Sequence, residues 1–229
     1  MIYSIKNFLC KLFIDFFQFS WQISLRKMYL ISEELVLAML SDSGFSVLDS
    51  DDDSLSRSYA AAAAADMLLS GAAKSDGERI SPSGGASART LPGKFASFIE
   101  KDSTVPDALR LLEKNAGEIE SLCIKNLLEK KSIKMAKTFG FFGREVLKAV
   151  DKQAPKELRQ KICLALASPI GECPEKIAGA IWALSRGNLA RVALSRGQLK
   201  KYRAVFLEIA ANFEKRFAIA GNAATPLSD

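Results

Sequence analysis

Six consecutive alanines, residues 60–65, sit inside the run Leu55–Leu69, LSRSYAAAAAADMLL. Alanine loses no rotamer freedom in a helix and has the highest helix propensity. It has little apolar surface of its own to bury, so a helix built from it gains most by letting other helices approach closely. The run predicts a helix over 55–69 at the centre of a helical body, ended by Gly71. It sets the fold class as mainly α.

Helix punctuation recurs along the chain. Ser32 caps a run that opens Glu33-Glu34-Leu35 and carries Met39 and Leu40, before a break at 41–44. Thr104 caps a helix in which Pro106 stands first, VPDALRLLEKNA. The next runs from about Glu118 with Ile119, Leu122, Cys123, Asn126 and Leu127 on one stripe, and Glu129, Lys130 and Lys131 end it in solvent. Pro155 sits at the start of KELRQKICLALA, whose inner face is Leu158, Ile162, Leu164 or Ala165, and Leu166. Pro169–Cys173 is a turn. Pro174 takes the first position of PEKIAGAIWALSRG, with Ile177, Ile181 and Leu184 inward, Trp182 in the core and Gly187 as the stop. A short helical turn over Leu189–Leu194 is stopped by Arg196-Gly197. The last helix spans Gln198–Phe217, with Leu199, Tyr202, Phe206, Ile209, Phe213 and Phe217 as its buried edge.

Non-helical pieces lie between these. Phe45–Leu48 is a short extended or irregular stretch. Lys74–Ile80 is a small hairpin or turn, and Ser81–Thr90 reads as a flexible loop. Phe95, Phe98 and Ile99 make an amphipathic turn. Ile133 and Met135 alternate as a strand running on to Phe139, Gly140 and Gly143 bracket Phe141 and Phe142 at a tip, and Val146 returns the chain. The expected architecture is a compact multi-helix bundle of seven or so helices decorated with a β-hairpin. It forms one domain over 28–217, with 218–229 as a loose tail.

Residues 1–27 stand apart. The segment MIYSIKNFLCKLFIDFFQFSWQISL is rich in aromatics, but Lys6, Lys11 and Asp15 keep it short of a bilayer span. Three readings stay open: an amphipathic helix lying in a membrane surface, a core helix, or a misassigned start, since Met28 opens MYLISEELVLAML as a domain would.

Residue chemistry narrows function. The chain has no histidine, which removes His-based nucleophile activation and the common zinc motifs. Glu33 and Glu34 are adjacent and point to different sides of a helix, so they form no facing acid–base pair. Cys123 and Cys163 have no visible base. The four cysteines include no CxxC and read as reduced thiols. Asp49 and Asp51–Asp53 lack the glycine and closing glutamate of a calcium loop, and Gly84-Gly85 makes no phosphate loop. No enzyme, metal or cofactor is expected. The net charge of +6 is uneven: residues 1–100 carry nine Lys or Arg against twelve Asp or Glu, and residues 101–229 carry 23 against 14. A basic second half fits an anionic partner, and is also common in proteins that bind neither lipid nor nucleic acid.

Two stretches carry a resemblance. LISEELVLAML at 30–40, and Ile124–Ala210 with KNLLEKKSI, FGFFG, PKELRQKI and PEKIAGAIWALSRGNLARVAL, together resemble the Golgi phosphoprotein 3 (GPP34) family. The alanine helix with Asp66 and Gly71 matches the family's small-residue helix with an acid before its closing glycine. The resemblance covers roughly 29–215. It implies an all-helical core with a hairpin, peripheral attachment to membranes, binding of phosphatidylinositol 4-phosphate, protein clients, and self-association through the hairpin. The family's headgroup positions are not matched. Its tryptophan falls near Asp49, its first arginine near Ser58–Ala60 with Arg57 the nearest base, and its paired arginines on Gly117 and Glu120. The lipid-binding candidates here are Arg57, Lys125, Lys130, Lys131, Lys134 and Lys137, with Phe141 and Phe142 as membrane or oligomer contacts.

The expected function is a peripheral, adaptor-like protein on the cytoplasmic face of a membrane, binding phosphatidylinositol 4-phosphate or another anionic lipid, with protein clients or a second copy as partners. The alternatives are a nucleic-acid-binding protein with a winged hairpin, and a soluble protein-interaction scaffold. Nucleic acid is the weaker alternative, because no helix rich in Arg, Asn and Gln is present to read bases.

Overall fold

The computed structural model describes residues 29–40, 52–83, 88–137 and 145–219. The chain divides into two units, Met1–Leu30 and Ile31–Asp229. Only Tyr29 and Leu30 of the first are described. The readings for 1–27, for 45–48, for Asp49 and Asp51, for Gly84-Gly85, for Phe141 and Phe142 at the tip, and for the tail beyond 219 all fall outside the described residues.

The second unit is mainly α. Its described elements are α1 (Ile31–Met39), α2 (Asp52–Ser70), β1 (Ala73–Ser75), β2 (Arg79–Pro82), α3 (Leu91–Ala96), β3 (Ser103–Thr104), α4 (Val105–Lys114) and α5 (Ala116–Glu129). There follow β4 (Ile133–Lys137), β5 (Glu145–Ala149), α6 (Ala154–Ala167), a 3-10 turn (Ile170–Glu172), α7 (Glu175–Arg186), α8 (Ala190–Ala193) and α9 (Arg196–Arg216). Two small antiparallel sheets decorate the helices. One is β1-β2-β3, with Ala73 opposite Pro82 and Arg79 opposite Thr104. The 74–80 segment is therefore a hairpin, and Ser81 and Pro82 belong to its second strand, not to a loop.

The alanine helix is central. Ala60–Ala65 are all fully buried, and α2 touches α1, α3, α4, α5 and α7. It packs most extensively against α7. Ser58 Oγ donates to the Ala183 carbonyl at 3.1 Å. A Cβ placed on Gly187 would lie 1.9 Å from Ser58 Oγ and 2.3 Å from the Ser54 carbonyl oxygen. Gly187 has an ordinary φ of −89°, so it is required by the neighbouring helix and not by the turn.

What ends α7 is a Schellman motif with Asn188 in the left-handed region at φ 56°. The Asn188 N–H donates to Ser185 and the Leu189 N–H to Leu184. Two other helices end the same way. Lys131 (φ 52°) closes α5, with Lys131 and Ser132 donating to Leu128 and Leu127. Ala218 (φ 49°) closes α9, with Ala218 and Ile219 donating to Lys215 and Glu214. Ile219 is buried, so the first two residues of the expected tail belong to the packed body. Gly71, at φ 73°, ends α2 as the sequence implies.

Starts differ in detail. Thr104 caps α4, its Oγ1 accepting from the Asp107 N–H. Pro174 is the N-cap of α7 and not its first residue. Arg196-Gly197 do not stop the short helix but open α9, because Ser195 and Gln198 form a capping box in front of them.

The largest departure is α1. All nine of its residues are buried, Ser32, Glu33 and Glu34 included. Ser32 is no cap. The helix begins at Ile31, and its cap comes from α2: Asp66 accepts from the Ile31 N–H at 2.8 Å and from the Ser32 N–H at 3.0 Å. Burial pushes the Asp66 carboxyl up to about 6, against the opposing pull of these bonds and of Lys176.

Candidate functional site

The basic candidates concentrate where α5 runs into the β4–β5 hairpin. Helix α5 buries Ile119, Cys123 and Leu127 and exposes Lys125. The Schellman turn at Lys131 then reverses the chain into β4, and the Val150 N–H returns to the Ser132 carbonyl to close the base of the hairpin. The strands pair Ile133 with Ala149, Lys134 with Lys148, Met135 with Leu147 and Ala136 with Val146.

Alternation gives the hairpin two faces. Ile133, Met135, Leu147 and Ala149 share one. Its burial fades outward: Ile133 is 2% exposed and Met135, two residues on, is 51% exposed. The hairpin is anchored at its base by Ile133 and Ala149. The other face sets Lys134 directly opposite Lys148, with Ala136 and Val146 beyond them. Like charges directly opposite each other on a sheet destabilise it. Leu128 and Val150, also exposed, flank the junction of helix and hairpin. Exposed apolar side chains and lysines thus lie on opposite faces of one hairpin.

The structure separates the remaining candidates. Lys131 and Lys134 are exposed as expected. Lys130 is half-buried. Its Nζ lies 2.9 and 2.7 Å from the two carboxylate oxygens of Glu33, whose side chain is fully buried. Asn126 Nδ2 donates to the same carboxylate at 2.7 Å. Lys130 therefore neutralises a core charge and is withdrawn from the ligand-facing set. The Lys137 side chain and Phe141 and Phe142 lie outside what is described.

Arg57 belongs elsewhere. It is half-buried on α2, with Nη2 3.5 Å from Ser54 Oγ. Helix α2 meets α5 where the Tyr59 hydroxyl donates to Glu120 at 3.1 Å, and Lys130 is ten residues further along α5, about 15 Å by helical rise. Burial, with Glu120 beside it, pushes the Tyr59 hydroxyl well above its ordinary range. Glu120 and Gly117 offer no cationic fork to a phosphate.

Sequence reasoning missed the partners of α1. Glu33 and Glu34 do point to different sides. Glu34 accepts from Lys161 at 3.3 Å and from Lys176 at 2.8 Å. Arg159 Nη2 donates to the Ala38 carbonyl in the last turn. Cys123 is buried near Ser32 and Glu33, and burial pushes its thiol up to about 12. The only signal in the sequence was two adjacent acids in an otherwise apolar helix.

Among the described residues no helix is long and apolar enough to cross a membrane. No protein-family model matches the chain, and no curated protein matches it.

Proposed function

We propose that this chain is a peripheral membrane-associated, adaptor-like protein of the Golgi phosphoprotein 3 type that docks on anionic lipid through the α5–hairpin junction. The two-faced hairpin carries this reading. Lys134 stands directly opposite Lys148, so two bases are held side by side where a negative surface attracts both. Lys125 and Lys131 add to the same region, and each base near an anionic bilayer contributes about 1 kcal/mol. Met135, Leu147 and Val150 supply apolar groups that a bilayer interface accepts.

The reading favours bulk negative charge over one headgroup. With Gly117 and Glu120 at the family's arginine positions, a doubly charged phosphate lacks convergent forks. Phosphatidylinositol 4-phosphate then binds in proportion to its charge, and client proteins or a second copy engage other surfaces.

Vesicle sedimentation of the full chain, and of a chain starting at Met28, tests this. Both are expected to pellet with phosphatidylcholine–phosphatidylglycerol vesicles at low salt, and not with phosphatidylcholine alone. Charge-matched vesicles with phosphatidylinositol 4-phosphate are expected to do no better. Failure of both chains to bind anionic vesicles overturns the reading, and salt-dependent retention of duplex DNA in its place points to the winged-hairpin alternative.

A further inference from the structure

A cavity of about 670 Å³ opens between the end of α1, the middle of α6 and the α8–α9 corner. Its volume lies in the range of small-molecule sites, and such sites combine apolar walls with a few polar groups. Met39, Leu40, Val192 and Leu194 form the apolar walls. The charged groups are Arg159 and Arg191, and no Asp or Glu lines it among the described residues. It is separate from the hairpin.

The polar groups divide by what they already do. Arg159 lines the cavity and is held there by a bond from its Nη2 to the Ala38 carbonyl at 3.1 Å. Gln198 is committed to the α9 capping box with Ser195, and its Nε2 lies 3.4 Å from Cys163 Sγ. Arg191 is exposed at the mouth and has no ion-pair partner among the described residues. The start of the 21-residue helix α9 adds partial positive charge on the same side.

We infer that this cavity binds a small amphiphilic carboxylate, a short acyl chain whose head pairs with Arg191 beside Arg159 and whose tail lies against Met39, Leu40, Val192 and Leu194. One guanidinium fork matches a carboxylate with two parallel hydrogen bonds. A dianionic phosphate needs more convergent donors than one uncommitted fork supplies. The walls require an apolar tail, so the anion alone does not suffice.

Octanoate below its micelle concentration is the probe. Methyl NMR of the full chain is expected to show saturable shifts at Met39, Leu40, Val192 and Leu194, and not at Val146 or Leu147 of the hairpin. Octanol, which keeps the tail, and acetate, which keeps the charge, are each expected to bind about tenfold more weakly or worse. Arg191→Gln is expected to weaken octanoate about tenfold, and Arg191→Lys, which keeps the charge without the fork, by about threefold. Phosphatidylglycerol vesicles are expected to leave these methyls unmoved. No shift at millimolar octanoate overturns the inference. So does equal affinity for octanol, or unchanged affinity in both Arg191 variants. Shifts produced by the vesicles and not by octanoate would make the cavity a headgroup site and overturn it as well.

Discussion

Ser32 donates twice to one oxygen of Asp66, through its backbone N–H at 3.0 Å and its Oγ at 2.7 Å. This pair, 34 residues apart, fixes the first turn of a helix buried on every side to the alanine helix beneath it. Burial raises the Asp66 carboxyl from 3.8 to about 6, so between those values the folded state holds a proton that the unfolded state has lost. The contribution of this group is fully present below about pH 4 and falls as pH rises through 6, by about 3 kcal/mol at most. Asp66→Asn removes that slope. It is also expected to be less stable than wild type at pH 7 by about 2 kcal/mol, since an amide offers one acceptor to donors that now use two oxygens. Urea denaturation at a series of pH values reads both effects.

Two glycines separate close approach from backbone freedom. Gly187→Ala forces a methyl into Ser58 and the Ser54 carbonyl, and is expected to cost about 3 kcal/mol or to prevent folding. Gly71→Ala meets nothing within 4 Å but keeps a φ of 73°, and is expected to cost about 1 kcal/mol. Denaturation midpoints of the two variants test the difference.

Lys130→Ala removes the ammonium that lies 2.7 Å from the buried Glu33 carboxylate and leaves the Asn126 bond in place. Removing one partner of a buried pair costs about 3 kcal/mol. A double variant with Glu33→Gln is expected to recover part of that loss. If Lys130 instead served the surface, its removal would leave stability within about 0.5 kcal/mol of wild type.

Lys131 occupies a left-handed position that favours glycine. Lys131→Gly is therefore expected to raise stability by about 1 kcal/mol. The same change removes one base beside the hairpin and is expected to weaken binding to anionic vesicles about fivefold. A gain in melting temperature with no loss of vesicle binding would place Lys131 outside the membrane-facing set.

Lys134→Glu turns a like-charge cross-strand pair with Lys148 into an opposite-charge pair. Stability is expected to rise by about 0.5 kcal/mol, while vesicle affinity drops by more than about tenfold. Thermal melts and sedimentation on the same preparation measure the two signs together.

The sequence by itself determined what is local. The alanine run, the Thr104 cap, the stripe of Ile119, Cys123 and Leu127, and the strand alternation from Ile133 all depend on neighbours within a few residues, and all appear in the structure. Tertiary structure decided what depends on partners far along the chain. Glu33 meets Lys130 across 97 residues and Glu34 meets Lys176 across 142, so no window of sequence reveals that α1 is buried all round. Lys130 and Lys131 are indistinguishable as letters, yet Lys130 keeps a right-handed backbone at the helix end and reaches Glu33, while Lys131 turns into the left-handed region and is exposed. Gly187 reads as a stop and is a contact, because the atoms that forbid its side chain belong to a helix more than a hundred residues earlier.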